Sequence, residues 1–124
     1  MAKFEKDNHR QIFGAWGEMQ AAAYLEKQGL QILARNYRTS KGELDIIARD
    51  GNALVFIEVK TRQNLDFGYP EEAVTPTKIG HLVEAAESYM LEHLEEQSWR
   101  LDVIAIEGKQ GQEDPKIEWF QDVR

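Results

Sequence analysis

The stretch 42-GELDIIARDGNALVFIEVKTR-62 decides the fold of this 124-residue chain. Residues 43–49 and 53–61 are two apolar runs rich in Ile, Val and Phe, which are residue types that favour strands. Between the runs lies Asp50-Gly51-Asn52, a strong hairpin turn signal. The stretch therefore predicts two antiparallel strands that pair across a tight turn.

The position of the turn sets which residues of the two predicted strands face each other. If residues 51–52 are the central turn residues, Asp45 lies directly across from Glu58. The same register places Glu43 across from Lys60, on the same face of the sheet. A turn centred one residue earlier keeps these faces, whereas a three-residue loop separates Asp45 from Glu58.

Carboxylates placed this close need a compensating charge. Two of them ~4 Å apart repel by about 4 kcal/mol at an effective dielectric near 20. A hard divalent cation offsets this repulsion, and Mg²⁺ is typically held by one or two carboxylates with water and phosphate oxygens. Lys60 would then orient a water molecule or stabilise developing negative charge. The alternative is a solvated outer face, on which Glu43 and Lys60 form a surface ion pair worth ~0–1 kcal/mol.

The rest of the chain supplies helices on either side of this hairpin. Residues 9–28 predict a helix with an apolar stripe of Ile12, Trp16, Met19 and Ala23. A second helix is predicted from Thr75-Pro76, an N-cap followed by proline, to about residue 96. Further strands are predicted at 30–37, 100–107 and 116–122, and a loop at 62–75. The order α-β-β-β-α-β-β predicts an α/β fold with a mixed central sheet flanked by helices.

Composition narrows the class of protein. The length suits a single domain over residues 1–124. There is no cysteine, which excludes disulfides, thiolate metal sites and cysteine nucleophiles. No apolar run approaches the ~20 residues needed to span a bilayer, and the N-terminal residues do not resemble a signal peptide, so we predict a cytoplasmic protein without a membrane partner. The net charge of −7 argues weakly against a general nucleic-acid coat protein but does not exclude a nuclease.

The hairpin residues also resemble a known signature. Asp45…Glu58-Val59-Lys60 is similar to the D…(D/E)-x-K motif of the PD-(D/E)XK nuclease superfamily, which has the restriction-endonuclease-like fold. A longer match over roughly residues 10–105 resembles the YraN family of bacterial proteins, which is itself similar to archaeal Holliday-junction resolvases. The matching residues are Gly17-Glu18, Arg35-Asn36-Tyr37-Arg38, Gly42-Glu43-Leu44-Asp45, Phe56-Ile57-Glu58-Val59-Lys60-Thr61-Arg62, Phe67-Gly68, Pro70 and Lys78.

The resemblance implies a function and roles for particular residues. It implies a Mg²⁺- or Mn²⁺-dependent endonuclease acting on DNA, including branched DNA, and by analogy with the resolvases a homodimer. Asp45 and Glu58 would be metal ligands, Glu18 of the first helix would complete the metal site, and Lys60 would be the catalytic lysine. Leu44 departs from the superfamily pattern, which has proline before its aspartate. The alternative for Glu18 is an ordinary glutamate on a helix surface.

Three basic residues are candidate nucleic-acid contacts. Arg62 is predicted to share the face of Lys60, and Lys78 lies in the first turn of the second helix, where backbone N–H groups attract anions. Arg38 is a third candidate. The alternatives are an ordinary strand-end arginine and a solvated lysine. For the whole chain, two other functions stay open: a non-catalytic nucleic-acid-binding module on the same fold, and a protein-interaction scaffold.

Overall fold

The predicted hairpin forms the middle of a five-stranded sheet. The structure is a computed structural model that describes residues 2–63, 74–93 and 98–124, with side chains described from residue 9 onward. The elements follow the predicted order: α1 Ala2–Lys27, β1 Gln31–Thr39, β2 Gly42–Asp50, β3 Ala53–Arg62, α2 Pro76–Glu92, β4 Trp99–Glu107 and β5 Lys116–Phe120.

The strands lie in the sheet in chain order, β1-β2-β3-β4-β5. Strands β1, β2 and β3 pair antiparallel, β3 and β4 pair parallel, and β5 pairs antiparallel with β4. The parallel pair requires a crossover, and α2 is that crossover. The sheet is therefore mixed and open, as predicted, and the α-β-β-β-α-β-β arrangement is consistent with a restriction-endonuclease-like fold.

Each helix covers one face of the sheet, which gives three layers. On the α1 side, Trp16, Ala21 and Leu25 pack against β2, β3 and β4 through a buried cluster that includes Ile46 and Ile57. The cluster on the α2 side combines the apolar residues Leu44, Ile47, Leu54, Phe56, Leu82, Ala85, Ala86, Tyr89 and Leu101. Because both faces are covered, β3 and β4 are almost continuously buried, which explains their long apolar runs.

The first helix differs from its prediction in length and in orientation. It begins at Ala2 rather than near residue 9, and the predicted apolar stripe does not form its buried side. Trp16 is buried, but Ile12 is 41% and Met19 52% exposed. Small residues form much of the buried side instead, so side-chain size, and not only hydrophobicity, selected the face that meets the sheet.

The second helix begins as predicted. The Thr75 side chain accepts a hydrogen bond from the backbone N–H of Lys78 at 3.1 Å, and Pro76 is the first helical residue. The predicted end near residue 96 and most of the predicted 62–75 loop lie outside the described residues. Neither described helix is both long enough and apolar enough to cross a membrane.

Candidate active site

The candidate site begins where the ladder between β2 and β3 ends. The two strands pair from Asp50↔Ala53 to Ile46↔Ile57, which is the register predicted from a turn at residues 51–52. The described ladder stops there. One residue further on, the Asp45 Oδ2 atom accepts a hydrogen bond from the backbone N–H of Val59 at 2.9 Å. The Asp45 carboxylate thus accepts the hydrogen bond that the Val59 N–H of β3 would donate to β2 if the ladder continued past the point where the two strands separate.

A change of face in β2 accompanies this separation. Leu44 packs in the cluster on the α2 side, whereas Ile46 packs in the cluster on the α1 side. Regular alternation would place residues 44 and 46 on one face, so the alternation of β2 is interrupted between them. The neighbouring strand β1 is irregular at the same level, because Asn36 adopts a left-handed backbone conformation with φ of 52°. Asn36 lies between the pairs Arg35↔Ile46 and Tyr37↔Leu44, so it is opposite Asp45.

Glu58 is the most buried acid of the site, with 6% of its surface exposed. Its Oε1 atom lies 3.6 Å from the Nζ atom of Lys60 on the same strand. The same oxygen lies 3.6 Å from the Nζ atom of Lys78, which reaches it from the first turn of α2. Two ammonium groups from different elements therefore share one buried carboxylate oxygen, which compensates part of the cost of burying its charge.

Glu43 and Lys60 do not form the ion pair that the alternative interpretation of this face expects. Glu43 lies 3.4 Å from the guanidinium of Arg38, a partner on β1, and this pair is exposed. The reason is again the end of the β2–β3 ladder at Ile46↔Ile57, because a register that stops there does not bring residues 43 and 60 together. Lys60 therefore forms its ion pair with Glu58 and not with Glu43.

The first helix carries Glu18 to the same end of the sheet. The preceding residue, Gly17, is buried against Thr61 of β3 so closely that an added Cβ atom would overlap the threonine side chain. This contact fixes the distance between the helix and the strand. Glu18 is half-buried, and the charges of Arg35, Glu43 and Glu58 act on its carboxyl group.

The surroundings raise the pKa of two of these acids. Burial, followed by the negative charge of Glu58, raises the pKa of Asp45 to about 7, although the Val59 N–H opposes the shift. The pKa of Glu18 is raised mainly by burial, and the hydrogen bond from Asn36 and the charge of Arg35 oppose that rise. The negative charge of Asp45 is therefore poorly compensated near neutral pH by the groups around it.

These residues fit a hard divalent cation. Among the described residues, no three His, Asp or Glu side chains already lie together as a ligand set. However, a Mg²⁺ site commonly takes only one or two carboxylates from the protein. Asp45 and Glu58 offer oxygen donors only, and the raised pKa of Asp45 identifies a site where added positive charge is favourable. Asp45 and Glu58 would hold the ion, with Glu18 close enough to interact with both charges.

The three predicted nucleic-acid contacts lie at different distances from these acids. Lys78 contacts Glu58 directly. Arg62, the last residue of β3, is half-buried, and its Nε atom has no hydrogen-bond partner in the described part of the chain. Arg38 is 83% exposed in its side chain and pairs with Glu43. The structure thus brings Lys78 into the site and leaves Arg38 at the surface beside it.

Sequence reasoning assigned no role to two residues that shape the site. Gly17 allows α1 to approach β3, and Asn36 has a left-handed backbone at the position opposite Asp45, where β2 changes face. Both carried a signal. A glycine is unfavourable within a helix unless something requires it, and asparagine is rare within a strand but tolerates a left-handed backbone.

The part of the chain that forms this site matches the model of a protein family. The model of the uncharacterised protein family UPF0102 matches residues 17–106, which include every acid and lysine of the site. The chain belongs to UPF0102. This confirms the predicted YraN-like family, and the match ends one residue before the end of β4, so β5 lies outside it.

Several bacterial UPF0102 proteins are similar in sequence to this chain. A UPF0102 protein of Beutenbergia cavernae is 46% identical over 98 residues, which is 78% of this chain and 83% of that protein. Another, of Dehalococcoides mccartyi, is 42% identical over 111 residues, covering 89% of this chain and 90% of the relative. A third, of Anaeromyxobacter dehalogenans, is 45% identical over 112 residues, which is 90% of this chain and 82% of that protein. The chain therefore corresponds to most of the length of each of these UPF0102 proteins.

Proposed function

We propose that this UPF0102 protein is a Mg²⁺- or Mn²⁺-dependent endonuclease that hydrolyses phosphodiester bonds of DNA. The observation that carries the proposal is the Asp45 carboxylate, which is half-buried near Glu58 where β2 and β3 separate and whose pKa is raised to about 7. A merely structural carboxylate would not be expected in a place where its charge is unfavourable. An acid that binds a cation during catalysis is expected there.

In the proposed reaction, the acids of the site bind the cation and Lys60 acts on the water or the phosphate. Asp45 and Glu58 would bind the cation, which when bound activates a water molecule and stabilises charge on a phosphate oxygen. Hydrolysis joins a water oxygen to phosphorus and breaks the bond to one sugar oxygen, which leaves with a proton. Lys60, 3.6 Å from Glu58, is placed to orient that water or to stabilise the negative charge that develops on the phosphate.

Substrate binding falls to the basic residues around the acids. Lys78 lies 3.6 Å from Glu58 at the N-terminal end of α2, where a phosphate is favoured by both the ammonium group and the helix dipole. When a cation takes over the neutralisation of Glu58, Lys78 becomes available to a DNA phosphate. Arg62 and Arg38 would contact the backbone of the DNA farther from the cleaved bond.

A cleavage assay tests the proposal. Labelled linear duplex, flap, four-way junction and single-stranded DNA, with an RNA hairpin for comparison, are incubated with the protein and Mg²⁺, Mn²⁺ or a chelator. We expect at least one DNA form to be cut with either metal and none with the chelator. Asp45→Asn and Glu58→Gln should each lower the rate at least about 100-fold, since the metal contributes several kcal/mol to the transition state.

Matched controls separate the site from contamination. Asp114→Asn and Glu113→Gln make the same chemical changes in an exposed loop and should cut at the wild-type rate. Equal cutting by wild type, Asp45→Asn and Glu58→Gln would show that the activity arises elsewhere. Metal-independent DNA binding without cleavage would favour the nucleic-acid-binding module, and no binding to any nucleic acid would favour the protein-interaction scaffold.

A further inference from the structure

An apolar pocket lies on the α2 side of the sheet, next to the acids and lysines of the site. It has a volume of about 200 Å³. The described residues that line it carry no polar side chain: Val74 before α2, Ile79 in α2, Val103 in β4, Phe120 in β5 and Val123 after β5. Val103 is buried and the other four are half-buried, so part of the pocket surface is accessible to solvent.

Two neighbouring elements place this pocket beside the ion pair of Glu58 with Lys78. Across the parallel ladder of β3 and β4, Val103 is the partner of Glu58, and adjacent strands lie ~4.8 Å apart. Ile79 directly follows Lys78 in the first turn of α2, and the Lys78 Nζ atom is 3.6 Å from Glu58. The pocket is therefore continuous with the place proposed for a DNA phosphate.

The wall formed by Val123 is fixed by hydrogen bonds of the chain after β5. Regular alternation from Phe120 would direct Val123 to the α1 side, but Val123 packs in the cluster on the α2 side. Asp122, just before it, has a left-handed φ of 51°. The Asp122 N–H donates a hydrogen bond to the buried Asp102 carboxylate at 2.9 Å. The Val123 N–H donates to the Leu101 carbonyl oxygen at 2.8 Å, so this wall is held in place by the protein itself.

The lining, the size and the neighbouring charges of the pocket favour a nucleobase. Pockets for drug-sized ligands have volumes of about 300–1,000 Å³, so this one suits a smaller group. Phe120 offers an aromatic ring, and stacking on such a ring tolerates any base because every base has a π-face. An apolar side chain of a protein partner would fit the walls but would leave the adjoining ammonium groups of Lys60 and Lys78 without a role. A nucleotide uses both, since its base is planar and its phosphate is anionic.

We propose that this pocket binds an unpaired nucleobase of the DNA strand whose phosphate lies at Lys78. The inference rests on the proposed function for the position of that phosphate. It adds a substrate class, which is DNA with unpaired nucleotides next to the cleaved bond, such as a flap, a gap or a single strand. A base within a continuous duplex is covered by its neighbours on both faces, so duplex DNA would occupy only the phosphate part of the site.

Methyl carbon-13 spectra of the wild-type protein with Mg²⁺ test the pocket directly. The probe is thymidine monophosphate, which has no internucleotide bond and so is not cut by an endonuclease. We expect it to shift the methyl signals of Val103 and Val123, because the base lies against them, and not those of the exposed Ile12 on α1. Deoxyribose 5-phosphate, which lacks the base, should leave the signals of Val103 and Val123 in place. Signals of these two valines that stay unchanged at the highest nucleotide concentration, or that respond equally to both compounds, would overturn the proposal.

Binding of a labelled single-stranded DNA tests the role of Phe120. The background is Lys60→Met with Mg²⁺ present, which keeps both proposed metal ligands and is expected to cut slowly. Phe120→Leu keeps an apolar side chain and removes the aromatic face, and we expect it to weaken single-strand binding about 5- to 100-fold. The affinity for a continuous duplex should be unchanged. Phe13→Leu makes the same change on the α1 side and should alter neither affinity.

A second variant keeps the test decisive if Phe120→Leu fails to fold. Val123→Phe fills the pocket from the chain after β5 without changing Phe120, and it should weaken single-strand binding and leave duplex binding unchanged. Single-strand affinity that is unaffected in a folded variant, or that falls only as much as duplex affinity, would overturn the proposal.

These outcomes separate the inference from the proposed function. Metal-dependent cutting of DNA by a protein whose pocket signals do not respond to thymidine monophosphate would overturn the base pocket and leave the endonuclease. Pocket signals that respond in a protein that cuts no DNA would refute the endonuclease and retain the pocket as part of a nucleic-acid-binding module. A response to thymidine monophosphate, combined with unchanged single-strand binding in Phe120→Leu, would indicate a site for free nucleotides and overturn the proposal for DNA.

Discussion

At the scale of single residues, the site depends on a carboxylate whose charge is poorly tolerated. Asp45 accepts one backbone hydrogen bond, from Val59, and that bond does not overcome the effects of burial and of Glu58 on its pKa. The bond also fixes the direction of the carboxylate. Asp45 is therefore held in an arrangement that lowers the stability of the protein when no cation is bound. Residues that serve function often lower stability in this way.

The first prediction concerns the pH dependence of stability in the presence of a chelator. Because the folded-state pKa of Asp45 is raised to about 7, the folded state binds more protons than the unfolded state between about pH 4 and pH 7. The contribution of Asp45 to stability is complete below about pH 4 and is lost as the pH rises to about 7. Asp45→Asn, which cannot ionise, should unfold with a free energy about 1–4 kcal/mol higher than wild type at pH 8, and about equal at pH 4.

Urea denaturation at the two pH values measures this difference. Asp114→Asn, in an exposed loop, should show no such gain at pH 8. A wild type that is as stable as Asp45→Asn at pH 8, or more stable, would show that Asp45 is well compensated without a cation.

The residue types of the site could be predicted from sequence, but their exact partners could not. The turn at residues 51–52 predicts the observed register, and the register predicts that Asp45 and Glu58 lie close together. The ion pair of Glu58 with Lys78 depends on a contact between β3 and α2. No local pattern encodes a contact between segments so far apart in the chain.

At the scale of elements, the position of Glu18 depends on how closely α1 approaches β3. The approach is set at Gly17, which leaves no room for a side chain above Thr61. Glycine lowers helix stability by about 1 kcal/mol relative to alanine, so its presence within α1 is accounted for by this contact and not by the helix itself.

The second prediction is that Gly17→Ala destabilises the protein although alanine is the better helix former. The added methyl group overlaps the side chain of Thr61, and overpacking of this kind costs typically about 1–3 kcal/mol. Gly14→Ala, on the same helix with open space at the Cβ position, should be neutral or up to about 1 kcal/mol stabilising. Thermal or urea denaturation of both variants provides the comparison.

A third variant checks the cause of the loss. Thr61→Ala combined with Gly17→Ala removes the overlapping threonine atoms beyond Cβ and should recover part of the lost stability. If Gly17→Ala and Gly14→Ala were equally stable, the close contact of α1 with β3 would be wrong.

The elements themselves were largely predictable, and the exceptions have one physical origin. Strand and helix order followed from apolar runs and turn signals, because those are local properties. The face of β2 around Asp45 and the buried side of α1 did not follow. Each coincides with a single residue, Asn36 or Gly17, whose conformation or contact involves a neighbouring element and not a local pattern.

At the scale of the whole molecule, the net charge of −7 opposes binding to DNA. The proposed binding of DNA therefore requires local positive charge, and the site offers few basic residues. Lys60 and Lys78 are partly neutralised by Glu58 in the structure. Attraction of DNA should consequently be modest and strongly dependent on salt.

The third prediction concerns that salt dependence. Each ammonium group that contacts a phosphate contributes about one to the slope of log affinity against log salt concentration. In a Lys60→Met background with Mg²⁺ present, which keeps both proposed metal ligands and is expected to cut slowly, Lys78→Met should lower that slope by about one and weaken binding to all DNA forms similarly. Fluorescence anisotropy with labelled DNA at several salt concentrations measures the slope.

The control for Lys78 is Lys109→Met, which changes an exposed lysine between β4 and β5. It should leave the slope unchanged. Equal slopes with and without Lys78→Met in the Lys60→Met background would place the DNA away from the N-terminal end of α2.

The most direct test of the account is a crystal structure of the protein soaked in Mn²⁺, with anomalous data collected near the manganese edge. The account predicts an anomalous peak within about 2.5 Å of carboxylate oxygens of both Asp45 and Glu58, and no such peak in crystals of Asp45→Asn. Well-ordered wild-type crystals with no peak between Asp45 and Glu58 at saturating Mn²⁺ would contradict it.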